Sequence, residues 1–121
     1  MRTRPADFFS TLSVHSEGSE HTVLVRLHAD HAVYSGHFPG NPVAPGVLLT
    51  DMVRRVAGQI IGHDVRLASA RQIKFLQVIN PNVVRELVLN IRLNESEQGL
   101  SMTCSASAES VTYFKFIGEL A

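Results

Sequence analysis

The side chains best suited to chemistry fall in one stretch, Gly36-His37-Phe38-Pro39-Gly40-Asn41-Pro42-Val43-Ala44-Pro45-Gly46-Val47-Leu48-Leu49-Thr50-Asp51. His37 lies in a loop stiffened by Pro and Gly, and a neutral imidazole can take a proton near neutral pH. Gly46 sits where a helix begins. There the free backbone N–H groups and the positive end of the helix dipole can hold a developing oxyanion, with no Cβ in the way of a substrate. Asp51 follows in the first turns of that helix, and a carboxyl group in an apolar pocket can be kept protonated as a proton donor. Each residue also has a plainer reading. A loop His can be a surface or capping group, and an Asp near a helix start can simply complement the dipole. Asp51 falls on the polar side of the helical wheel, which taken alone favours solvent.

The elements that must position these residues follow from composition and periodicity. Three glycines and three prolines between Gly36 and Gly46 exclude a helix or a central strand there. After Gly46, Leu49, Met52, Val53, Val56, Ala57, Ile60 and Ile61 recur at helical spacing, and Gly62 is a C-terminal stop. Val47 and Leu48 lie off that stripe, so the helix is predicted to be deeply buried at its start. The rest reads as strands. Thr11–His15 and Thr22–His28 flank a polar turn, and Ser69–Ile79 forms one long run ending at Asn80-Pro81-Asn82. Arg85–Asn94 alternates cleanly, while Leu100–Ala108 and Val111–Glu119 are joined by Glu109-Ser110 as a tight hairpin. Two strands, one helix and four strands make an α+β domain, with one helix covering a mostly antiparallel sheet. One helix cannot cover six strands, so pairing with another chain is expected.

Composition bounds the function. The chain has 121 residues, 11 Lys+Arg against 11 Asp+Glu, 45% hydrophobic residues and a single Cys. It is expected to form one domain over residues 1–121 and is too apolar for disorder. The balanced charge argues against a nucleic-acid binder. Cys104 alone cannot make an internal disulfide and is read as a packing residue; His15, His21, His28, His31 and His63 show no metal-ligand spacing. The basic N-terminus lacks an apolar run behind it, and no stretch is long enough to span a bilayer, so the cytoplasm is the expected compartment. Arg54, Arg55, Arg66, Arg71 and Lys74 face only Asp64 in their segment, a local basic excess suited to an acidic partner or equally to a mixed surface.

The stretch from His37 to Asp51 resembles the signature of the β-hydroxyacyl-[acyl-carrier-protein] dehydratases of the hot-dog superfamily. That pattern runs His-Phe-Pro-Gly-x-Pro-x-x-Pro-Gly-Val-Leu-x-x-Glu/Asp, and every fixed position is matched here. Ile73-Lys74-Phe75-Leu76 with Asn80-Pro81 extends the resemblance more loosely. It implies a hot-dog fold, a curved antiparallel sheet around a central helix, in a homodimer with two active sites at the interface, His from one subunit and acid from the other. It implies that His37 is the base taking the α-proton of a β-hydroxyacyl thioester and that Asp51 assists loss of the β-hydroxyl as water. The Gly46 N–H would polarise the thioester carbonyl and the Val43 carbonyl would orient His37. The product would be a trans-2-enoyl thioester of fatty-acid or specialised acyl or polyene synthesis. No cofactor or metal is implied beyond the phosphopantetheine carrying the substrate. The expected partner is acyl carrier protein, met by Arg54, Arg66, Arg71 and Lys74.

Two departures from the family pattern stand out. The acid is Asp51, where purely dehydrating members usually carry Glu, and four residues later Arg55 replaces the usual Gln. An Arg one helical turn away can pair with Asp51 and lower its pKa, the wrong direction for a general acid. Either His37 carries both proton transfers, or Arg55 turns outward, or the chemistry is weakened. Two other functions compete: a hot-dog acyl thioesterase, and a non-catalytic hot-dog subunit that binds carrier protein within a heteromeric dehydratase.

Overall fold

The computed structural model describes residues 7–97 and 99–121. Strands β1 (Phe9–Glu17) and β2 (Glu20–Leu27) precede a short 3-10 turn over Ala32–Ser35. Helix α1 (Gly46–Ile61) and strands β3 (Leu67–Phe75), β4 (Glu86–Ser96), β5 (Gly99–Ala108) and β6 (Val111–Leu120) follow. The six strands form one antiparallel sheet in the order β1-β2-β4-β5-β6-β3. With α1 packed at its centre, this is the hot-dog arrangement and the α+β class expected from sequence.

Alternation decides which face meets the helix. One ladder of register partners, Val23, Leu89, Ala106, Phe114 and Phe75, crosses five strands, and its first four members are at most 2% exposed. Against it α1 buries Leu49, Met52, Val53, Val56 and Ala57, all on the predicted stripe. Each such fully buried aliphatic side chain contributes roughly 1.5–3 kcal/mol relative to exposure. Gly62 ends the helix with φ +96°, a left-handed turn that glycine adopts without a Cβ penalty. Glu109 and Ser110 both take positive φ, as the two-residue β5–β6 hairpin requires.

Several element boundaries differ from expectation. The first hairpin zips further than predicted: Glu17 pairs with Glu20 across Gly18-Ser19, because Gly18 accepts φ +61° and lets a two-residue turn replace a longer loop. The run Ser69–Ile79 is not one strand. It leaves the sheet after Phe75, where the Leu76 and Gln77 N–H groups both donate to the Tyr113 carbonyl and the ladder cannot continue. Ile79 then turns inward, 1% exposed, and its carbonyl accepts from Ala44 N–H at 2.8 Å.

The start of α1 is not deeply buried. Val47 is 76% exposed, because the sheet covers only the opposite side of the helix. Val47 instead joins Leu67, Ile73 and Phe75 of edge strand β3, which is exposed along its whole length. A bare edge with apolar side chains is a surface that proteins ordinarily cover.

Candidate active site

The segment before His37 is anchored by aromatic packing. Phe8 stacks on Tyr34 with centroids 6.4 Å apart, and His31 meets both rings edge-on. The His31 side chain also accepts from Val33 N–H and caps the 3-10 turn. The Val33 carbonyl then receives the N–H groups of Gly36 and His37 at 3.2 and 3.0 Å.

From there the loop closes on itself. Phe38 and Asn41 exchange backbone hydrogen bonds, and Val43 N–H donates to the His37 carbonyl at 3.0 Å. The Val43 carbonyl in turn lies 3.0 Å from His37 Nδ1. A carbonyl oxygen can only accept, so Nδ1 carries the proton and Nε2 presents its lone pair. Nε2 has no hydrogen-bond partner among the described residues. The ring stacks on Phe38, centroids 4.3 Å apart, which limits its rotation. An imidazole held this way can accept a proton at Nε2 in one direction.

Helix α1 opens immediately after the loop. Pro45 stands at the N-cap and supplies no side-chain hydrogen bond, while its carbonyl accepts from Leu48 and Leu49. The N–H groups of Gly46 and Val47 therefore have no acceptor within the helix and can receive negative charge from a ligand. A groove of about 500 Å³ lies beside them, lined by Gly46, Val47, Thr50, Asp51, Arg54, Leu67, Ile73 and Phe75. Its walls are largely apolar, and its charged groups are Asp51 and Arg54.

The pairing of these charges differs from the sequence expectation. Arg55 does not bond Asp51: it turns to Asp7, with Nη1–Oδ1 3.0 Å and Nη2–Oδ2 2.8 Å, and its guanidinium lies 4.7 Å from the Phe9 ring centroid. That bidentate bond holds the Asp7 carboxyl at about 2, below its ordinary 3.8. The residue on Asp51 is Arg54, whose Nε and Nη2 both lie 2.9 Å from Oδ1. Helical spacing allows both i+3 and i+4 partners, and Asp7, far away in sequence, draws Arg55 to the other side.

The structure gathers Gly46, Asp51 and Arg54 into one groove and orients His37 on Val43. His37 itself is not among the groove's lining residues. Of the basic residues expected to meet the carrier, Arg54 and Arg66 line a second groove, while Arg71 and Lys74 lie along β3. Arg54 is engaged with Asp51, and exposed Arg66 pairs its backbone with that of Ala121. Exposed Arg71 sits where β3 bulges, and Lys74 alternates away from the groove beside Lys115. Phe75 is a groove residue in contact with Gly46, a pairing across sequence that no local period encodes. Its ring lies where a Cβ on Gly46 would be, 2.7 Å from the nearest ring atom. Cys104 is buried and free, its thiol pushed up to about 12 by desolvation, which makes it inert packing. Among the described residues no cluster of His, Cys, Asp and Glu could hold a metal. No helix among them is long and apolar enough to cross a membrane.

With this geometry in view, comparison with known proteins is decisive on the family. A family model described as ApeI-like, ApeI dehydratase, matches residues 13–115. The chain belongs to the ApeI-like dehydratases. It is similar to the 3-hydroxyacyl-[acyl-carrier-protein] dehydratase FabZ of Levilactobacillus brevis, 29% identical over 110 residues that cover 85% of this chain and 74% of the relative. The FabZ of Lactiplantibacillus plantarum is 27% identical over 109 residues, 84% of this chain and 74% of that one. Among solved structures, the dehydratase heterocomplex ApeI:P from Xenorhabdus doucetiae superposes with a TM-score of 0.76 at 21% identity, covering 98% of this chain and 99% of that one. An uncharacterized protein from Erwinia carotovora subsp. atroseptica superposes with a TM-score of 0.66 at 25% identity, over 93% and 92% of the two chains. The ApeI-like chain is thus a hot-dog dehydratase, a hydro-lyase in reaction class.

Proposed function

We propose that this ApeI-like chain dehydrates β-hydroxyacyl thioesters borne on the phosphopantetheine arm of acyl carrier protein, giving trans-2-enoyl thioesters. The observation that carries the reading is the imidazole of His37, locked by Val43 with Nε2 bare. Nε2 takes the α-proton while the thioester carbonyl rests on the N–H groups at the start of α1, which stabilise the enolate-like charge. The electron pair then forms the α,β double bond as the β C–O bond breaks. The departing hydroxyl takes from His37 Nε2 the proton removed at the α-carbon and leaves as water, with Asp51 holding that oxygen. The step is a redox-neutral elimination and asks for no cofactor.

The functional unit in this reading is a homodimer in the cytoplasm, each site combining His37 of one chain with Asp51 of the other. Its support is that Asp51 opens onto a groove which His37 does not line, beside the bare apolar edge of β3. Exposed Arg66, Arg71 and Lys74 supply positive charge for the acidic carrier. Replacing Ile73, 40% exposed at that edge, by Glu is expected to abolish the dimer and the activity together.

The direct test is hydration of a short enoyl thioester and dehydration of its β-hydroxy counterpart. His37→Ala and Asp51→Asn should each lower turnover at least ~10²-fold, the usual scale for a general acid–base group. Unchanged rates in both variants refute the proposal, and release of free thiol in place of hydration identifies a thioesterase. A heteromeric subunit, the assembly of the Xenorhabdus neighbour, would be inactive alone and gain activity only when mixed with a second hot-dog chain.

A further inference from the structure

The residue with the most fully used set of donors beside the proposed site is Arg54. Its Nε and Nη2 converge on one oxygen of Asp51, both at 2.9 Å, and its Nη1 donates to the Val65 carbonyl at 2.8 Å. An i,i+3 pair on an open helix surface is ordinarily mobile and contributes about 0–1 kcal/mol. This pair has a third attachment. Val65 is 3% exposed, in the segment that leads from the helix end into β3. The guanidinium is therefore tied to fixed backbone at one end and to the carboxylate at the other.

The distribution of bonds on Asp51 is uneven. Oδ1 accepts from Nε–H and has Nη2 at 2.9 Å, and Oδ2 receives no hydrogen bond among the described residues. A free carboxylate can turn about its last torsion and present either oxygen. Clamped at Oδ1, it offers a single acceptor direction into the groove.

We propose that Arg54 is the positioning residue of Asp51, holding Oδ1 so that Oδ2 alone meets the β-oxygen of the substrate. The inference rests on the dehydratase reading above and deepens it. Asp51 then works as a charged acceptor that steadies the departing hydroxyl, and the proton that completes water returns from His37, which received it at the α-carbon. Arg54 thereby acts through Asp51 and not on a carrier protein, and it replaces Arg55 as the cation that controls the acid.

The test is a double-mutant cycle on turnover with two substrates, one on pantetheine and one on carrier protein. Arg54→Gln is expected to lower kcat roughly 10-fold or more with KM changed less, the scale of a misaligned reacting group. The loss should be equal on both substrates, should vanish in an Asp51→Asn background, and should be partly restored by Arg54→Lys. Parental kcat in Arg54→Gln, the same proportional loss with Asp51 already replaced, or a loss confined to the carrier-borne substrate would each overturn it. Should the parent chain catalyse nothing, alone or mixed with a second hot-dog chain, the dehydratase reading fails by itself. Melting temperatures then judge the clamp: non-additive shifts for Arg54→Gln and Asp51→Asn sustain it, and additive shifts overturn it.

Discussion

Gly46→Ala separates what the site needs from what the fold needs. A Cβ at this position would lie 2.7 and 2.8 Å from two atoms of the Phe75 ring, closer than real contacts allow. The ring has to move, and the structure dictates where. Behind it stands Phe114, 2% exposed with its centroid 6.0 Å away, so retreat inward is closed. Phe75 is itself 48% exposed, so it swings outward into the groove lined by Asp51. Overpacking costs about 1–3 kcal/mol, and a half-exposed ring places this case near the lower end. Replacing Gly by Ala where the backbone is already helical returns about 0.4–1 kcal/mol by restricting the unfolded chain. The two nearly cancel, so the melting temperature should move by less than about 5 °C.

Activity should behave otherwise. The methyl group stands over the N–H groups at the helix start while the displaced ring narrows the groove, and removing one oxyanion donor costs about 10²–10³ in turnover. Calorimetry and enoyl thioester hydration on the same preparation read both quantities. Adding Phe75→Leu tells the two obstructions apart: recovery assigns the block to the ring, and no recovery assigns it to the methyl group. A Gly46→Ala protein with parental kcat/KM, or one melting more than about 10 °C lower, would refute the reasoning.

Three other outcomes follow from the packing. Gly118→Ala would drive a Cβ to 2.5 Å from the Ser69 backbone carbonyl and 2.7 Å from the Phe116 ring, where backbone cannot yield cheaply. It should cost about 3 kcal/mol in urea denaturation, and a midpoint within error of the parent would contradict this. Tyr34→Phe should stabilise by ~1 kcal/mol, because the buried hydroxyl has no partner among the described residues and its desolvation is uncompensated. Burial raises that phenol from 10.0 to about 12, so its native form keeps a proton the unfolded chain releases; stability falls as pH rises across that window, and the variant should lose that slope. Asp7 has the opposite sense: Arg55 depresses it from 3.8 to about 2, so its contribution is present above 3.8 and lost as pH falls toward 2. With Asp7 and Arg55 side chains 54% and 36% exposed, that contribution is about 0.5–1 kcal/mol, and Arg55→Met should remove it together with the acid dependence in melts.

Much of this architecture is readable in the chain because the physics is local. The α1 stripe from Leu49 to Ala57 and the alternation of Leu87, Leu89, Ile91 and Leu93 each follow from one element's own period. The His37 loop is legible for the same reason, since six residues of Pro and Gly restrict its path. What escaped depends on residues distant in sequence. The end of β3 is decided by Tyr113, whose carbonyl takes two successive N–H groups. The choice between Arg54 and Arg55 is decided by Val65 and Asp7, which no helical wheel contains. The exposure of Val47 is decided by which side of α1 the sheet covers.

That last point bears on how the chemistry is arranged. Val47, Thr50, Asp51 and Arg54 lie on the side of α1 turned away from the sheet core, and in a lone chain they border water. There the Asp51–Arg54 pair, 46% and 31% exposed, contributes no more than about 1 kcal/mol and is screened by salt. Covering the β3 edge with a second chain removes water from the same groove, and two charges 4 Å apart rise from about 1 toward 4 kcal/mol as the effective dielectric falls from 80 to 20. The clamp that the Val65 carbonyl already anchors in one subunit is strengthened once the groove is closed. Assembly in this account does more than bring a second His37 to the acid. It also dries the pair that aims Asp51, so the effect of Arg54 on turnover should scale with the fraction of assembled protein and be lost on dilution to monomer.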